Sequence, residues 1–291
     1  MTYVVTGAKG QLGRALVKYL SLNDIDHVAL DSKQLDITNA DQVYKVISTL
    51  KPRVIINAAA WTDVDGAEIN KDVAFEVNGK GVENLAIAAK KSKSILTHIS
   101  TDYVFSGAFD QPLNENSELK PESIYGLSKA AGELAIKKVY PEGSYIVRTA
   151  WLYSEYGKNF AKTMCRLALS SNEKVQVVSD QIGQPSNAND LAAQLVKLMD
   201  SKAKFGIYHG TNLGHASWYQ FAQEIFRLAG ADVNRVVPIS SKEYLSLAKR
   251  PTYSVLAQDA WRDISISPMQ DWRVALQNSM PEILRSVDVK Q

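Results

Sequence analysis

The apolar run YVVT at residues 3 to 6 breaks directly into TGAKGQLG, and beyond that turn Leu12, Ala15, Leu16, Tyr19 and Leu20 recur at helical spacing. A strand that feeds a helix through a glycine turn opens few folds, and in those it lies where a ligand meets the ends of the strands. Gly7, Gly10 and Gly13 stand where glycine has a physical use. They permit a tight turn with positive φ and leave the backbone bare enough for a pyrophosphate to approach free N–H groups and the positive end of a helix dipole. An ordinary βα turn with packing glycines is the competing reading. The strand before it and the helix after it count against that.

Short β-branched runs go on alternating with amphipathic stretches. HVAL (27 to 30), RVIIN (53 to 57), ILTHIS (95 to 100) and SYIVRT (144 to 149) read as buried parallel strands. Val82, Leu85, Ala86 and Ala89, and later Leu134 with its neighbouring alanines, read as helix faces. Repeated βαβ units imply an α/β fold, a Rossmann-type doubly wound parallel sheet with helices on both faces. After about residue 150 the alternation loosens. Helices are expected near 158 to 170, 188 to 200 and 217 to 229, interrupted at Pro185, Gly206, Gly214, Pro238 and Pro251. The sequence thus predicts a dinucleotide-binding domain over 1–150. Over 151–291 it predicts mainly a smaller C-terminal substrate-binding lobe, with segments free to return to the sheet, and one cleft between the two.

Composition narrows the partners. The chain carries 33 basic against 31 acidic residues, a net charge of +2, and no basic cluster, so no nucleic-acid partner is expected. The start MTYVVTGAKG lacks the charged and apolar regions of a signal peptide, and no apolar stretch reaches the roughly 18 residues of a membrane helix. The single cysteine, Cys165, excludes an intrachain disulfide framework, and a cytoplasmic location is expected. His27, His98, His209 and His215 make no metal-ligand spacing, so no metal is expected, and Cys165 in its apolar stretch reads as core.

Candidate chemistry gathers at the strand ends. Asp31 follows the second strand, 18 residues beyond Gly13, where an acidic side chain accepts from an adenine ribose. Lys9 and Arg14 flank the turn and would suit a 2′-phosphate, which leaves both NADH and NADPH open. For Asp31 and Asp36 alike, a turn or capping role is an equal reading. Ala58, Ala59 and Ala60 end the third strand, where small side chains let a cofactor pass close to the backbone, and Trp61, Thr62 and Asp65 follow on a loop facing the cleft. HISTDYVFSG sets Ser100, Thr101 and Asp102 at the end of the fourth strand. Thr101 is the hydroxyl expected to polarise a substrate carbonyl, with Ser100 turned away by strand alternation.

Tyr125 and Lys129, in SIYGLSKAAGELA, stand four residues apart at the start of the next helix. About one YxxxK arises by chance in such a composition, so position in the fold carries this pair, not its spacing. Residues i and i+4 share a helix face, which puts an ammonium at 129 near a phenol at 125 and lowers the phenol's pKa. A glycine turn for a dinucleotide and a lysine-assisted tyrosine for a proton are what hydride chemistry on a carbonyl needs. Arg148, Lys158 and Arg250 are candidates for a substrate pyrophosphate, a solvated position being equally open for Lys158. Trp218, Trp261 and Trp272 read as core or interface.

The GxxGxxG spacing resembles the extended short-chain dehydrogenase/reductase superfamily. Within it, STDYVFSG, YGLSKAAGE, RTAWLYSEYGKNFAKTM, DQIGQPS and RPTYSVL, in order across nearly the whole chain, resemble the dTDP-4-dehydrorhamnose reductase family. The resemblance implies a dTDP-sugar substrate and reduction by NADPH or NADH of the 4-keto group of dTDP-4-dehydro-6-deoxy-L-mannose, giving dTDP-L-rhamnose or a close dTDP-deoxysugar. It implies Thr101, Tyr125 and Lys129 as catalytic hydroxyl, proton donor and assisting lysine, with Lys129 also holding the nicotinamide ribose. It sets Gly10, Gln11, Leu12, Asp36, Ile37 and Ala58 to Ala60 at cofactor positions, and Thr101, Asp102 and Trp151 at the sugar nucleotide. Ser186, where the family more often has threonine, and the divergent VLAQDAW leave the sugar itself open; a homodimer is also left open. Two other readings stand beside this one: an NAD-retaining sugar-nucleotide epimerase or dehydratase, and a non-catalytic cofactor-binding regulatory subunit. Tyr103 after Asp102, in place of the glutamate of a Thr-Asp-Glu signature, disfavours the dehydratase, and the intact Thr101, Tyr125 and Lys129 disfavour the subunit.

Overall fold

A computed structural model describes residues 2–201 and 203–287. The five apolar runs form β1 (Tyr3–Thr6), β2 (His27–Leu30), β3 (Val54–Asn57), β4 (Ile95–Thr101) and β5 (Ser144–Thr149). A sixth strand, Gly206–His209, joins them in one parallel sheet, in the order Gly206–His209, β5, β4, β3, β1, β2. Strand order reverses beside β1, so the turn after β1 opens at the topological switch point, where sheets of this kind form a crevice at their carboxyl ends.

Neighbouring residues of one strand feed opposite layers, as the pleat requires. Tyr3 and Val5 pack with Val54, Ile56 and Val147 against α1 (Gln11–Leu22) and the helix Ala188–Asp200. Val4 packs with Ile55, Leu96 and Ile146 against the helices Ala40–Leu50, Gly81–Ser92 and Ile124–Val139. Both faces are therefore covered, and every residue of β1, β3 and β5 is buried, which is why those strands read as mostly apolar runs without a polar face. The C-terminal half contributes the strand Gly206–His209, the helix Ala188–Asp200 and Trp261 of the short helix Asp259–Asp263 to this body, and it builds a second core around Phe221, Phe226, Trp272 and Leu276.

The helices after residue 150 begin where side chains can cap them. Asn159 accepts from Lys162 N ahead of Phe160–Ser170, Asn187 accepts from Asn189 N and Asp190 N ahead of Ala188–Asp200, and Ser217 with Gln220 forms a capping box ahead of Trp218–Leu228. The region between β3 and Gly81–Ser92 is more helical than its sequence suggests: Val64–Ile69 and Lys71–Phe75 run into a π-helical turn, Glu76–Lys80. Gly66, Gly79, Gly81 and Asn70 hide that pattern, because glycine and asparagine weaken a helical reading.

One buried ion pair ties the helix Ile124–Val139 to the sheet. Arg148 of β5 donates from Nε to Glu133 Oε1 at 2.9 Å and from Nη2 to Glu133 Oε2 at 2.7 Å, and Ser100 Oγ donates to the same Oε1 at 2.6 Å. Glu133 is 0% and Arg148 1% exposed, and the guanidinium lies 4.9 Å from the Phe105 ring centre. The sequence reading of Arg148 as a pyrophosphate contact is corrected here: its forked donors are already held by a carboxylate beneath the cleft. Removing one partner strands the other charge, which typically costs several kcal/mol. Glu133→Gln is therefore expected to lower unfolding free energy by about 3–5 kcal/mol in chemical denaturation, and Glu133→Leu combined with Arg148→Met to recover most of the loss.

Candidate active site

A cleft of about 970 Å³ opens at the carboxyl ends of the sheet, and Gly7, Asp31, Ala58, Thr101, Tyr125, Lys129, Trp151 and Arg250 all line it. The glycine turn forms one end. Gly7 has φ +65°, and a Cβ there would fall 2.6 Å from Ala59 N and 2.7 Å from Ala58 O, so β1 and β3 approach too closely for any side chain. A Cβ on Gly13 would run into the Gly7 carbonyl. Gly10 caps α1 without a side-chain bond, which leaves the first-turn N–H groups of the helix for a ligand. Gln11 and Leu12 line the cleft, with Gln11 Oε1 accepting from Asn159 Nδ2 at 2.8 Å across to the C-terminal half.

Asp31 and Asp36 serve turns and face the cleft at once. Asp31 Oδ1 accepts from Lys33 N at 2.9 Å and Gln34 N at 3.0 Å, and its carboxylate pairs with Lys9. That lysine bond holds the Asp31 carboxyl below its ordinary pKa. Asp36 Oδ1 accepts from Thr38 N at 3.0 Å and Thr38 Oγ1 at 2.8 Å, and Ile37 is buried beside it. Ala58, Ala59 and Ala60 form a wall of small side chains next to Gly7. Trp61 and Thr62 follow along the cleft, pinned by Asn78, which accepts from Trp61 N and donates to Trp61 O and Ser128 Oγ. Asp65 accepts from Arg250 Nη2 at 2.8 Å and from Ala248 N at 3.0 Å, bridging the two halves of the chain over the cleft.

Thr101 ends β4. Its Oγ1 donates to Asp102 Oδ1 at 2.9 Å and accepts from Tyr103 N at 3.2 Å. Tyr125 meets Tyr103 edge to face, with ring centres 5.5 Å apart; burial raises its phenol well above the ordinary value, and a bond with the Thr101 hydroxyl opposes that. Lys129 lies four residues on, 2% exposed, and donates from Nζ to Ile99 O at 2.6 Å, with His98 Nε2 at 3.3 Å. Burial lowers the amine to about 8, against the pull of the Glu133 carboxylate. The sequence places the ammonium beside the phenol; in the structure its bonds run to β4 instead. Burial also lifts the Asp102 carboxyl to about 6 and the Tyr103 phenol to about 12, with Arg250 Nη1 donating to Tyr103 Oη at 3.3 Å.

Aromatic rings close the far end. Trp151 has φ +44°, and Gly183 leaves room for its indole, since a Cβ there would lie 2.5 Å from Trp151 Cε2. Trp218 stacks on Trp151 with centres 3.5 Å apart and planes 9° apart, and Phe160 backs Trp218 at 4.7 Å. This corrects the reading of Trp218 as core or interface: it lines the cleft, whereas Trp261 and Trp272 are core. Lys158 lines the cleft, and Cys165 is fully buried with its thiol pushed up to about 12. Sequence reasoning missed His98, Asn57, Glu133 and Trp218. Only Glu133 carried a usable signal, lying one turn beyond Lys129 on the same helix face.

A parallel sheet with a glycine turn at its switch point, and a hydroxyl, a phenol and an amine at one strand end, defines an enzyme of the Rossmann-type short-chain dehydrogenase/reductase class. The family model described as RmlD substrate binding domain matches residues 1–285, and the chain belongs to that family. It is 42% identical over 285 residues to a dTDP-4-dehydrorhamnose reductase of Streptomyces griseus, covering 97% of this chain and 93% of that one. It is 42% identical over 279 residues to a dTDP-4-keto-6-deoxy-D-glucose reductase of Streptomyces niveus, covering 96% of each. The crystal structure of dTDP-4-dehydrorhamnose reductase from Bacillus anthracis in complex with NADP matches with a TM-score of 0.93 at 40% identity, covering 97% of this chain and 99% of that one.

Asp102 gives the site a pH signature in stability. Its carboxyl binds a proton more tightly folded, near 6, than in a free chain, near 3.9, so its ionisation costs stability as pH rises through that window. The stability of wild type relative to Asp102→Asn should fall between about pH 4 and pH 6, read by denaturant midpoints across that range; a difference independent of pH would refute the burial argument.

Proposed function

We propose that this protein reduces the 4-keto group of dTDP-4-dehydro-6-deoxy-L-mannose, with NADPH or NADH, to dTDP-L-rhamnose or a close dTDP-deoxysugar. The observation that most supports the reading is that Tyr125 and Thr101 line the same cleft as the glycine turn. Two reductases at equal identity, one named for dehydrorhamnose and one for a keto-deoxyglucose, support the substrate class and leave the sugar's stereochemistry to assay.

The residues present fit a dinucleotide. The first-turn N–H groups of α1, without a side-chain cap, and the bare approach at Gly7 suit a pyrophosphate, with Gln11 and Leu12 at the helix start. Ala58 to Ala60 and Ile37 give room for the adenosine, and Asp31 and Asp36 offer acceptors to it. When bound, the nicotinamide supplies hydride to the keto carbon. Thr101, turning its hydroxyl proton from Asp102 to the substrate, donates a hydrogen bond to the carbonyl oxygen, and Tyr125 hands that oxygen a proton as negative charge develops. A phenol raised by burial is protonated at neutral pH, as a proton donor must be. The Lys129 ammonium holds the nicotinamide ribose and stabilises the phenolate left behind. Asp102, Trp151 and Arg250 meet the sugar nucleotide. On this reading residues 1–150 hold the dinucleotide and 151–291 mainly cover the substrate. The cytoplasm is the compartment that fits a chain whose one thiol is buried.

A dehydratase or epimerase would return its hydride, and this chain has Tyr103 packed on Tyr125 where the dehydratase signature has a glutamate. In a spectrophotometric assay with a panel of dTDP-4-keto sugars, NAD(P)H should be lost mole for mole with substrate. Turnover without loss would favour epimerisation, and a protein inert toward every keto sugar would favour a regulatory role. Tyr125→Phe should lower kcat/KM by about 10²–10⁴-fold; unchanged turnover would sink the assignment. Asp31→Asn should keep the turn bonds but release Lys9 and remove the ribose acceptor. The ratio of kcat/KM for NADPH over NADH is then expected to rise about tenfold.

A further inference from the structure

A chain of buried polar groups runs beneath the cleft from β1 to Lys129. Thr6 Oγ1 donates to Asn57 Oδ1 at 2.7 Å, and Ala59 N donates to the same oxygen at 3.1 Å. A backbone N–H is only ever a donor, so the Asn57 amide has one allowed orientation: its oxygen toward Ala59 and its nitrogen toward His98 Nδ1, 3.0 Å away. Nδ1 must then accept. His98 is 0% exposed, and burial together with the Lys129 charge drives its pKa well below the usual value, so the ring is neutral and carries its one proton on Nε2. That N–H faces Lys129 Nζ at 3.3 Å. A neutral amine accepts from it through its lone pair; an ammonium, all donors, does not.

We propose that Asn57 and His98 are positioning residues for Lys129: Asn57 locks His98 in the Nε2–H tautomer, and that N–H disfavours the lysine's ammonium until a bound dinucleotide offers it acceptors. The inference rests on the reading of Lys129 as a cofactor-holding residue. Three surroundings set the amine: the Ile99 carbonyl and His98 from β4, the Glu133 carboxylate from its own helix, and the burial they share. Glu133 is engaged by Arg148 and Ser100, so the carboxylate pulling on the proton is partly neutralised; burial sets the downward direction, and the imidazole N–H 3.3 Å from the amine acts in the same sense. Affinity for a dinucleotide then falls as pH rises through the lysine's titration, because deprotonated Lys129 accepts from His98, keeps one N–H on Ile99 O, and meets ribose oxygens without its charge and with one donor fewer.

Side-chain ¹⁵N shifts of protein labelled at histidine read the tautomer directly, and titration of NADPH and NADH binding at several pH values reads the lysine. In wild type His98 should stay neutral with its proton on Nε2 from pH 6 to 9, and dinucleotide affinity should fall along an alkaline limb. Asn57→Asp keeps both acceptor bonds at its oxygen but turns the other atom into an acceptor. His98 should then move its proton to Nδ1, its Nε2 should accept from the ammonium, and the limb should move up by about one pH unit or more. A proton on Nδ1 in wild type, a charged ring, or a limb that stays or moves down in Asn57→Asp would overturn the inference. If Asn57→Asp does not fold, the wild-type tautomer decides alone. Should no dinucleotide bind at all, the proposed function fails instead, with the tautomer still to be read.

Discussion

The fork between Arg148 and Glu133 is the interaction on which the site depends. A sheet end and a helix supply the groups that would act on substrate, and the two must keep register to a fraction of an ångström for a phenol on one to meet a hydroxyl on the other. Glu133 stands two helical turns after Tyr125 and one after Lys129, so fastening it to β5 and, through Ser100, to β4 fixes the rotation and height of the whole helix face. A lone buried charge would be a liability, and a paired one with both carboxylate oxygens engaged is a rigid clamp. Its conformational specificity, more than its net energy, explains a charged pair where leucines would pack.

The same economy recurs along β4. Successive residues from His98 to Asp102 point alternately to the helix layer and the cleft, yet nearly all are tied polar-to-polar: His98 to Asn57, Ser100 to Glu133, Thr101 to Asp102. Polar groups at this density are tolerated in an interior only when satisfied, and satisfying them fixes the order of the strand ends. The cleft inherits its shape from beneath.

How far the sequence could be read follows from this. All five N-terminal strands were legible because parallel strands covered on both faces are rich in β-branched and apolar residues, and the later helices because their caps are local in sequence. The glycine turn, Thr101, Tyr125 and Lys129 were legible as residues that meet, and one cleft is lined by all of them. Arg148 was misread because its type suggests a phosphate, while the carboxylate that claims it lies fifteen residues earlier on a different element. Trp218 was misread because nothing local says that a helix start sixty-seven residues after Trp151 will lay one indole on the other. His98 was weighed only as a metal ligand, and Asn57 only as the last residue of a strand run. Their meaning lies in a tautomer, which exists only once three strands are side by side.

The strand Gly206–His209 gives the sheet its last neighbour, pairing along β5 from Tyr145 to Arg148. A nascent chain released only as far as β5 would carry that strand with one row of amides and carbonyls bare, an invitation to stick to any other extended segment in the crowd. Some sixty residues must leave the ribosome before β5 gains that neighbour, among them the helix Ala188–Asp200 that roofs one face. The sheet body is therefore complete only with residues of the C-terminal half, and the two halves are not separable modules.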